Sequence, residues 1–274
     1  MTSPLPAIEV FDELGSTNAE VMERGRLGAP HGTAVRACVQ TAGRGQRAHG
    51  WTSPAGGLYL SVLVRPQVPA HFLPGLPVAC ALGILDALRG TGCASAQLKW
   101  PNDVVVGVRK LAGILTEMAQ VGLGGTAAEG ASFAVCGVGV NMTAPQVEPR
   151  AGGAAALAPT GLAEELAAAG ATTDELPSLD ELAGAVRAGI LSSVAAWEDA
   201  VQAAPEDVSP LTPLLDSYNA HLAYVGKRVT AFAIDGNTLD AGTFAGVDGF
   251  GRAKIEHADK THALYDAATV SLRL

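Results

Sequence analysis

Residues 99–118, KWPNDVVVGVRKLAGILTEM, predict a β-hairpin around which the rest of the fold can be arranged. Val104–Val108 and Leu111–Met118 are the two expected strands, and the chain turns near Gly107–Lys110. The stretch begins with Lys99, which stands between two apolar residues. The chain has only five lysines, so a lysine in such apolar surroundings is unusual.

Strands and helices alternate on both sides of this hairpin. Alternating apolar residues predict further strands at Thr33–Gln40, Leu58–Arg65 and Phe133–Met142. Apolar residues at helical spacing predict helices at 17–27, 78–89, 179–201 and 211–224, and the first opens with a capping box of Thr17 and Glu20. Segments 119–132 and 144–176 are rich in Ala, Gly and Pro; we expect an expanded hairpin loop and a loop with one or two short helical pieces. This order favours an α+β domain with a mixed or antiparallel sheet over a doubly wound one.

The hydrophobic period changes to two after Gly226. Turn residues at 235–237 and 248–251 divide this last segment, and its pattern predicts five short strands, which is typical of a small β-barrel. We therefore expect two domains, covering residues 1–223 and 224–274.

The composition indicates a globular protein with a sizeable core. The 274 residues are 48% hydrophobic and 16% charged, with a formal net charge of −9. An acidic chain argues against general nucleic-acid binding, and neither a signal peptide nor an apolar run of about 18 residues indicates a membrane or secretory segment. The four cysteines form no CxxC pair, so we expect reduced thiols and a cytoplasmic protein.

The charge is unevenly distributed along the chain. Residues 1–110 carry 10 Lys and Arg against 7 Asp and Glu, whereas residues 111–226 carry only Arg150 and Arg187 against 14 acidic residues. The excess of acid therefore lies outside the segment in which most cations are found, and the net charge does not exclude an anionic ligand.

Three segments carry residues suited to an anionic or planar ligand. Residues 41–51, TAGRGQRAHGW, follow a strand, and the glycines beside Arg44 let the backbone approach a ligand. Lys99 at a strand end can offset charge on a nucleotide phosphate. Residues 136–141, CGVGVN, place small residues on a strand before Asn141, whose amide suits an adenine edge. Each segment alone has a structural alternative: a solvated basic turn, an edge lysine beside a packed tryptophan, or simple packing.

Together these segments resemble the biotin protein ligase family. The resemblance rests on residues that match in order and spacing, namely Ser16–Asn18, Gln40–Gly45, Trp51, Lys99–Asp103, Arg109–Leu115 with Glu117, and Gly137–Asn141. It covers residues 8–142 and extends more weakly over 222–274, which resembles the family's SH3-like C-terminal barrel. The implied fold is α+β: a mixed or antiparallel-sheet catalytic domain of the biotin/lipoate ligase type, followed by that small barrel.

The resemblance implies an ATP-dependent enzyme that joins biotin to a protein. Biotin is activated by ATP and Mg²⁺ to biotinyl-5′-AMP, and is then transferred to a lysine in the biotin-carrier domain of an acyl-CoA or pyruvate carboxylase. Arg44 and Lys99 are the implied catalytic residues, because two anions must meet near fixed positive charge. No metal site made of protein side chains is implied, nor a nucleic acid or membrane partner. The alternatives are a lipoate or octanoate transferase of related fold and a non-catalytic biotin-binding homologue.

The binding residues that the resemblance implies fall into two groups. The biotin group suits a neutral ureido ring and a carboxylate, and comprises Ser16, Thr17, Asn18, Gln40, Arg44, Gly45, Gln46, Trp51, Lys99 and Gly113. The ATP group comprises Arg44, Arg47, Lys99, Asn102, Lys110, Asn141 and Arg273. By the same resemblance Trp51 caps the ligand, Asn141 contacts the adenine, and Arg273 reaches the nucleotide from the second domain.

The chain departs from the family pattern in its glycine-rich loop. Gln46 stands where the family usually has a second arginine, Ala48 replaces a common glycine, and His49 replaces a common arginine. Because that loop holds the intermediate in the family, we expect faster loss of biotinyl-AMP here unless Arg47 or His49 compensates.

Two further expectations concern organisation. The Ser-Thr-Asn segment begins at residue 16, which leaves no room before it for the winged helix-turn-helix of some relatives. The resemblance therefore favours a monofunctional ligase. Family members occur as monomers and as dimers joined through a sheet edge, so a homodimer is one of two open alternatives.

Overall fold

The computed structural model describes residues 4–48, 50–121, 131–146, 157–205 and 207–274. Its larger sheet has seven strands in the order β1-β2-β3-β7-β6-β5-β4. These are β1 (Glu9–Leu14), β2 (Ala34–Gln40), β3 (Leu58–Val64), β4 (Ala96–Lys99), β5 (Asp103–Val106), β6 (Arg109–Val121) and β7 (Ala131–Val140). β1 and β2 are parallel and the other neighbours are antiparallel, which confirms the expected α+β class with a mixed sheet.

Helices cover both faces of this sheet. The helices of the described residues are α1 (Thr17–Arg26), α2 (Leu76–Gly90), α3 (Leu162–Ala168), α4 (Leu179–Ala203) and α5 (Leu215–His221). α1 covers one face of the sheet, and α2 and α4 cover the other. Even-numbered residues of β3 and β7, such as Leu60 and Cys136, lie in the main core with α2 and α4. Odd-numbered residues, such as Leu63 and Val135, pack against α1 in a smaller core. We call the first the core face and the second the site face.

The predicted strands and helices are present, with shifts of a few residues at their ends. β1 was not predicted, because it is an exposed edge strand in which acidic residues interrupt the apolar alternation. β6 reaches Val121 and β7 starts at Ala131, so the expected loop at 119–132 is shorter than predicted, and 122–130 lie outside the described residues. In segment 144–176 the described part holds α3 and a short 3-10 turn at Thr173–Glu175, as expected.

The predicted capping box at the start of α1 is wrong. Ser16 is the N-cap residue, and its side chain makes no capping hydrogen bond. Thr17 is the first helical residue, and its hydroxyl lies 3.1 Å from Gln40 Oε1. Glu20 pairs with Arg24 one turn later, at 2.8 Å. The physical reason is that Thr17 faces the sheet, where Gln40 offers an acceptor that competes with the local backbone.

The chain ends in a second, antiparallel sheet of five strands, as expected. They are β8 (Arg228–Ala233), β9 (Thr238–Val247), β10 (Ala253–Glu256), β11 (His262–Tyr265) and β12 (Val270–Arg273), in the order β11-β10-β9-β8-β12. Trp100 Nε1 donates to Gly251 O at 2.9 Å, and Ala223 N donates to Leu98 O at 2.7 Å. The apolar core runs on from the first sheet into the second. The division at 223/224 stays a prediction.

The two long helices cross through a pair of glycines. A Cβ on Gly83 of α2 would collide with the carbonyl oxygen of Gly189 on α4, and a Cβ on Gly189 would collide with Gly83 O. The stretch Ala70–Gly90 has the length and apolar composition of a membrane-spanning helix, but 67% of its most apolar window is buried inside the protein. It is therefore a core helix of this fold.

We expect Gly83→Ala to destabilise the protein although alanine favours helix. Alanine gains about 1 kcal/mol in helix propensity, but forcing the backbones apart costs about 1–3 kcal/mol, so the free energy of unfolding should fall by about 1 kcal/mol and at most by about 2 kcal/mol. Gly184→Ala on α4 is the matched control, because no heavy atom beyond the backbone of its own helix lies within 4 Å of the new Cβ, and it should be neutral or stabilising. Urea unfolding of both variants measures the difference; equal stabilities would contradict the close crossing.

Candidate functional site

One row of paired residues crosses the site face. Lys99 of β4 pairs with Asp103 of β5, which pairs with Gly113 of β6; Gly113 in turn pairs with Gly139 of β7 and Gly139 with Tyr59 of β3. Residues paired in register point to the same face of a sheet. The row therefore brings the lysine of KWPND, the glycine of β6 and Gly139 of GVGVN onto one face of the sheet.

The next row along the strands carries the polar residues of the site. Leu115, Gly137 and Ser61 are paired across β6, β7 and β3. Asn18 reaches down from α1 onto Gly137, where any Cβ would collide with its amide oxygen. Glycine at 137 is thus required so that α1 can place an amide directly on the sheet.

A continuous chain of hydrogen bonds runs through this row, and we call it the polar chain. It consists of Gln40, Thr17, Ser61, Asn18, Glu117 and Arg44. Gln40 Oε1 accepts from Thr17 N at 2.9 Å, and Ser61 Oγ lies 2.8 Å from Thr17 Oγ1 and 2.6 Å from Asn18 Oδ1. Ser61 is fully buried and Thr17 and Asn18 nearly so, so the chain is a preorganised polar wall.

Four predicted biotin residues (Thr17, Asn18, Gln40 and Arg44) therefore meet in one network. Two members were absent from the predicted site. Ser61 is a lone hydroxyl in the apolar strand LYLSVLV, which is a signal that could have marked it. Glu117 belongs to the matching segment on β6, but its carboxylate had no assigned role.

The indole of Trp51 lies on the paired glycines Gly113 and Gly139, which we call the glycine platform. A Cβ on Gly113 would stand 2.7 Å from Trp51 Cζ3, and one on Gly139 would collide with Trp51 Nε1. Lys110 Nζ lies 5.1 Å from the centroid of the indole ring, within range of a cation–π contact. The small residues do leave room for a planar group, and the protein's own tryptophan fills it.

A β-bulge turns Lys110 toward the site. Val104 pairs with Ala112 but Val105 pairs with Lys110, so β6 has one extra residue. Leu111 and Ala112 are consecutive yet both lie in the main core. The inserted residue therefore moves Lys110 to the site face, where Nζ is 2.5 Å from Asp103 Oδ1.

Lys99 is the most deeply buried cation of the site, with 8% of its surface exposed. Burial lowers the pKa of its ammonium; Asp103 opposes that effect, and Lys110, Arg273 and Arg47 add to it. Lys99 thus lies near three other cations and one carboxylate. Such a cluster is suited to attract the negative charge of a phosphate or carboxylate ligand.

Arg47 links the glycine-rich loop to the second sheet. Its Nη2 donates to Val270 O at 2.7 Å and also to Ala267 O. Its Nε is buried and has no hydrogen-bond partner within the described part of the chain. Arg273 of β12 stacks on the ring of Phe232, with its guanidinium carbon 5.2 Å from the centroid. The second sheet therefore lies against the glycine-rich loop, and the charge of Arg273 acts on Lys99. That Arg273 reaches the nucleotide stays a prediction.

Two predicted ATP residues have their amide hydrogens engaged within the protein. Asn141 Nδ2 donates to Thr160 O at 3.1 Å and to Lys110 O at 3.3 Å, which leaves its carbonyl oxygen to accept from a ligand. Asn102 Nδ2 donates to Ile114 O at 2.8 Å and so holds the KWPND turn against β6.

The remaining predicted residues lie at the edges of the site. Ser16 is buried at the start of α1, while Gly45 and Gln46 are half-buried in the loop after β2. His49 lies outside the described residues. Within the described ranges no group of three or more His, Cys, Asp or Glu is arranged to hold a metal ion.

The chain is similar in sequence to proteins of known function. Residues 14–141 match the model of the "Biotin/lipoate A/B protein ligase family". The chain is 32% identical over 243 residues to a biotin–[acetyl-CoA-carboxylase] ligase of Paracoccus denitrificans, covering 86% of this chain and 88% of that protein. It is 41% identical over 152 residues to the Mycobacterium tuberculosis ligase of the same name, covering 53% of each.

Other relatives are longer or more distant. The bifunctional ligase/repressor BirA of Bacillus subtilis is 37% identical over 108 residues, which are 39% of this chain and 33% of BirA. The chain thus spans between a third and about half of the first curated relatives it matches. Among solved structures, a biotin protein ligase of Aquifex aeolicus in complex with biotin and ATP superposes with a TM-score of 0.68 over 99% of both chains. At 23% identity this likeness concerns the fold.

We expect Lys99→Met to raise the melting temperature at neutral pH. The pKa of Lys99 is lowered in the folded protein, so its charged form is less favourable there than in the unfolded chain. Removing the charge should stabilise the fold at pH 7 by about 2–4 °C for each kcal/mol gained. The gain should shrink as the pH rises toward the ordinary lysine pKa of about 10.4, where the unfolded chain also loses its proton.

Calorimetry at pH 7 and at about pH 10 measures this effect. Lys227→Met is the matched control, because Lys227 is exposed and its removal should leave the melting temperature unchanged. A lower melting temperature for Lys99→Met at pH 7 would show that the buried ammonium stabilises the fold.

Proposed function

The chain belongs to the biotin/lipoate A/B protein ligase family, and from this premise we propose that it is an ATP-dependent biotin protein ligase. The observation that carries the proposal is the meeting of two unlike sets of groups on the site face. A buried polar chain suited to a neutral ring lies one strand row away from Lys99 and its neighbouring cations. A substrate with a ureido ring at one end and a carboxylate at the other suits both.

The first step joins two anions. An oxygen of the biotin carboxylate attacks the α-phosphorus of ATP, the bond to the bridging oxygen of the β-phosphate breaks, and pyrophosphate leaves with that electron pair. Charge on the α-phosphate oxygens grows during this step. Lys99 and Arg44 are the cations that we assign to it, since fixed positive charge stabilises the transition state without reorganisation. Arg47, Lys110 and Arg273 neutralise the nucleotide phosphates in this proposal.

The second step transfers biotin to a protein. A neutral lysine amine of the acceptor attacks the acyl carbon of biotinyl-5′-AMP, AMP leaves, and the amine loses a proton to give an amide. The names of the relatives from Paracoccus denitrificans and Mycobacterium tuberculosis support an acetyl-CoA-carboxylase acceptor. A pyruvate carboxylase domain is a further candidate, recognised through the same lysine.

The proposal also covers the metal ion, the cellular compartment and the assembly of the protein. Mg²⁺ enters with ATP as part of the substrate. We assign the reaction to the cytoplasm, which is consistent with four free cysteines. We include a homodimer as one possible assembly, and β1 is an exposed sheet edge in the isolated chain.

The proposal is tested by incubating the protein with ATP, Mg²⁺, biotin and a purified biotin-carrier domain. We expect the mass of the carrier to increase by one biotinyl group and pyrophosphate to be released only when biotin is present. Lys99→Met should reduce pyrophosphate release at least about 100-fold, because it removes the buried cation near the reacting phosphate. Biotin binding without pyrophosphate release would instead identify a non-catalytic biotin-binding protein, and preference for lipoate would identify the related transferase activity.

We further expect Gln46→Arg to slow the loss of the intermediate. Arg47 is held by the carbonyls of Val270 on β12 and of Ala267 in the turn before it, so it does not replace the positive charge that the family pattern has at position 46. An added arginine should reduce the release rate of preformed biotinyl-AMP by about tenfold, the effect of one charge-assisted hydrogen bond. Gln46→Met is the control for side-chain size. Equal release rates for wild type and Gln46→Arg would contradict the expectation.

A further inference from the structure

Glu117 lies where the polar part and the cationic part of the site meet. Its Oε2 accepts one hydrogen bond from Asn18 Nδ2 at 2.8 Å and another from Arg44 Nη2 at 2.9 Å. Asn18 belongs to α1 and Arg44 to the glycine-rich loop, so a single oxygen on β6 connects two separate elements. Each of these two elements carries part of the proposed biotin site.

The carboxylate of Glu117 and the carbonyl of Leu115 together dictate which way the Asn18 amide points. One amide hydrogen of Asn18 goes to Leu115 O at 3.2 Å and the other to Glu117. An ionised carboxylate only accepts hydrogen bonds, so the opposite orientation would set two acceptor oxygens against each other. Asn18 Oδ1 is therefore turned toward Ser61 Oγ, 2.6 Å away.

This orientation decides what the pocket can recognise. Both hydrogens of the Asn18 amide are engaged within the protein, whereas Oδ1 has a second lone pair beyond the one used by Ser61. Asn18 can thus accept from a ligand N–H but cannot donate. A cyclic urea has two such N–H groups, and a ring that presents only acceptors at this position would be rejected.

We propose that Glu117 is a positioning residue that fixes the polarity of Asn18 and the place of Arg44, and thereby sets the affinity for the ureido ring of biotin. The inference rests on the proposed function and adds a residue to it. Glu117 does not touch the reacting atoms; it acts through the two residues that it holds.

A purely structural role would have a different signature. The side chains of Arg44 and Glu117 are 45% and 28% exposed, and an ion pair so accessible to water contributes little to folding. Replacing Glu117 should therefore change substrate affinity far more than stability. The change should also be larger for biotin than for ATP, because Asn18 and Arg44 both belong to the proposed biotin group, whereas Glu117 has no bond to Lys99 or Lys110 among the contacts of the described residues.

The test compares Glu117→Met and Glu117→Gln with wild type in biotin-dependent adenylation. We expect Glu117→Met to raise the KM for biotin about tenfold or more, the effect of losing hydrogen bonds to a charged group. Glu117→Gln should give a smaller rise, because its amide oxygen can still accept from Asn18 Nδ2, although the charge that strengthens the bonds to Asn18 and Arg44 is lost. At saturating biotin, kcat should fall less than the KM for biotin rises, because Arg44 loses its anchor but keeps its charge. The KM for ATP should change less than the KM for biotin, and biotin binding without ATP should weaken in parallel with the KM for biotin.

Glu13→Gln is the matched control, because Glu13 is exposed on β1 and its change removes the same charge without touching the polar chain. An unchanged KM for biotin in Glu117→Met would overturn the inference. So would equal losses toward biotin and ATP accompanied by a lowered melting temperature, which would indicate a structural role. A wild-type protein that binds no biotin would overturn the proposed function itself, and this inference with it.

Discussion

The antiparallel register of β5, β6 and β7 is the constraint on which the site depends. It sets Asp103, Gly113 and Gly139 side by side and continues to Lys99 on β4. Because side chains alternate between faces, a slip of one residue would send each of these groups into the apolar core. The alternating core residues of β3 and β7, packed against α2 and α4, therefore hold the register of the site through the hydrophobic effect.

The site face of the larger sheet has an apolar part, which packs against α1, and a polar part, which carries the candidate site. α1 covers the far end of the strands, where Val135 and Leu63 are buried beneath Val21 and Met22. Nearer to β4 the same face carries glycines and polar groups instead of large apolar side chains. This part of the sheet gives up apolar burial, and Lys99 is buried there at the expense of its charged form. Such local losses are typical of functional sites, where the surrounding core supplies the stability.

The sequence allowed the segments of the site and most of the strands to be predicted, because both leave local patterns. Glycine pairs, the KWPND turn and the period-two alternation are visible without a structure. The role of Ser61 was not predictable from spacing, since it arises only when β3 and α1 bring three polar side chains together. The capping box at Thr17 failed for the same reason: a distant Gln40 outcompetes the local backbone. Arg47 likewise bonds to residues more than 200 positions away.

The glycine platform is occupied by the Trp51 indole, and this limits how a ligand can enter the site. A planar ligand and the Trp51 indole cannot share the surface of Gly113 and Gly139, because even a methyl group there would collide with the ring. A ligand that uses the platform must therefore displace the Trp51 indole, either by rotating the side chain or by moving the segment that carries it. That segment is tied at Arg47 to the carbonyls of Ala267 and Val270, so its displacement strains or breaks hydrogen bonds to the second sheet. The second sheet is in this way mechanically part of the site, although Arg273 is the one residue there that the sequence assigned to it.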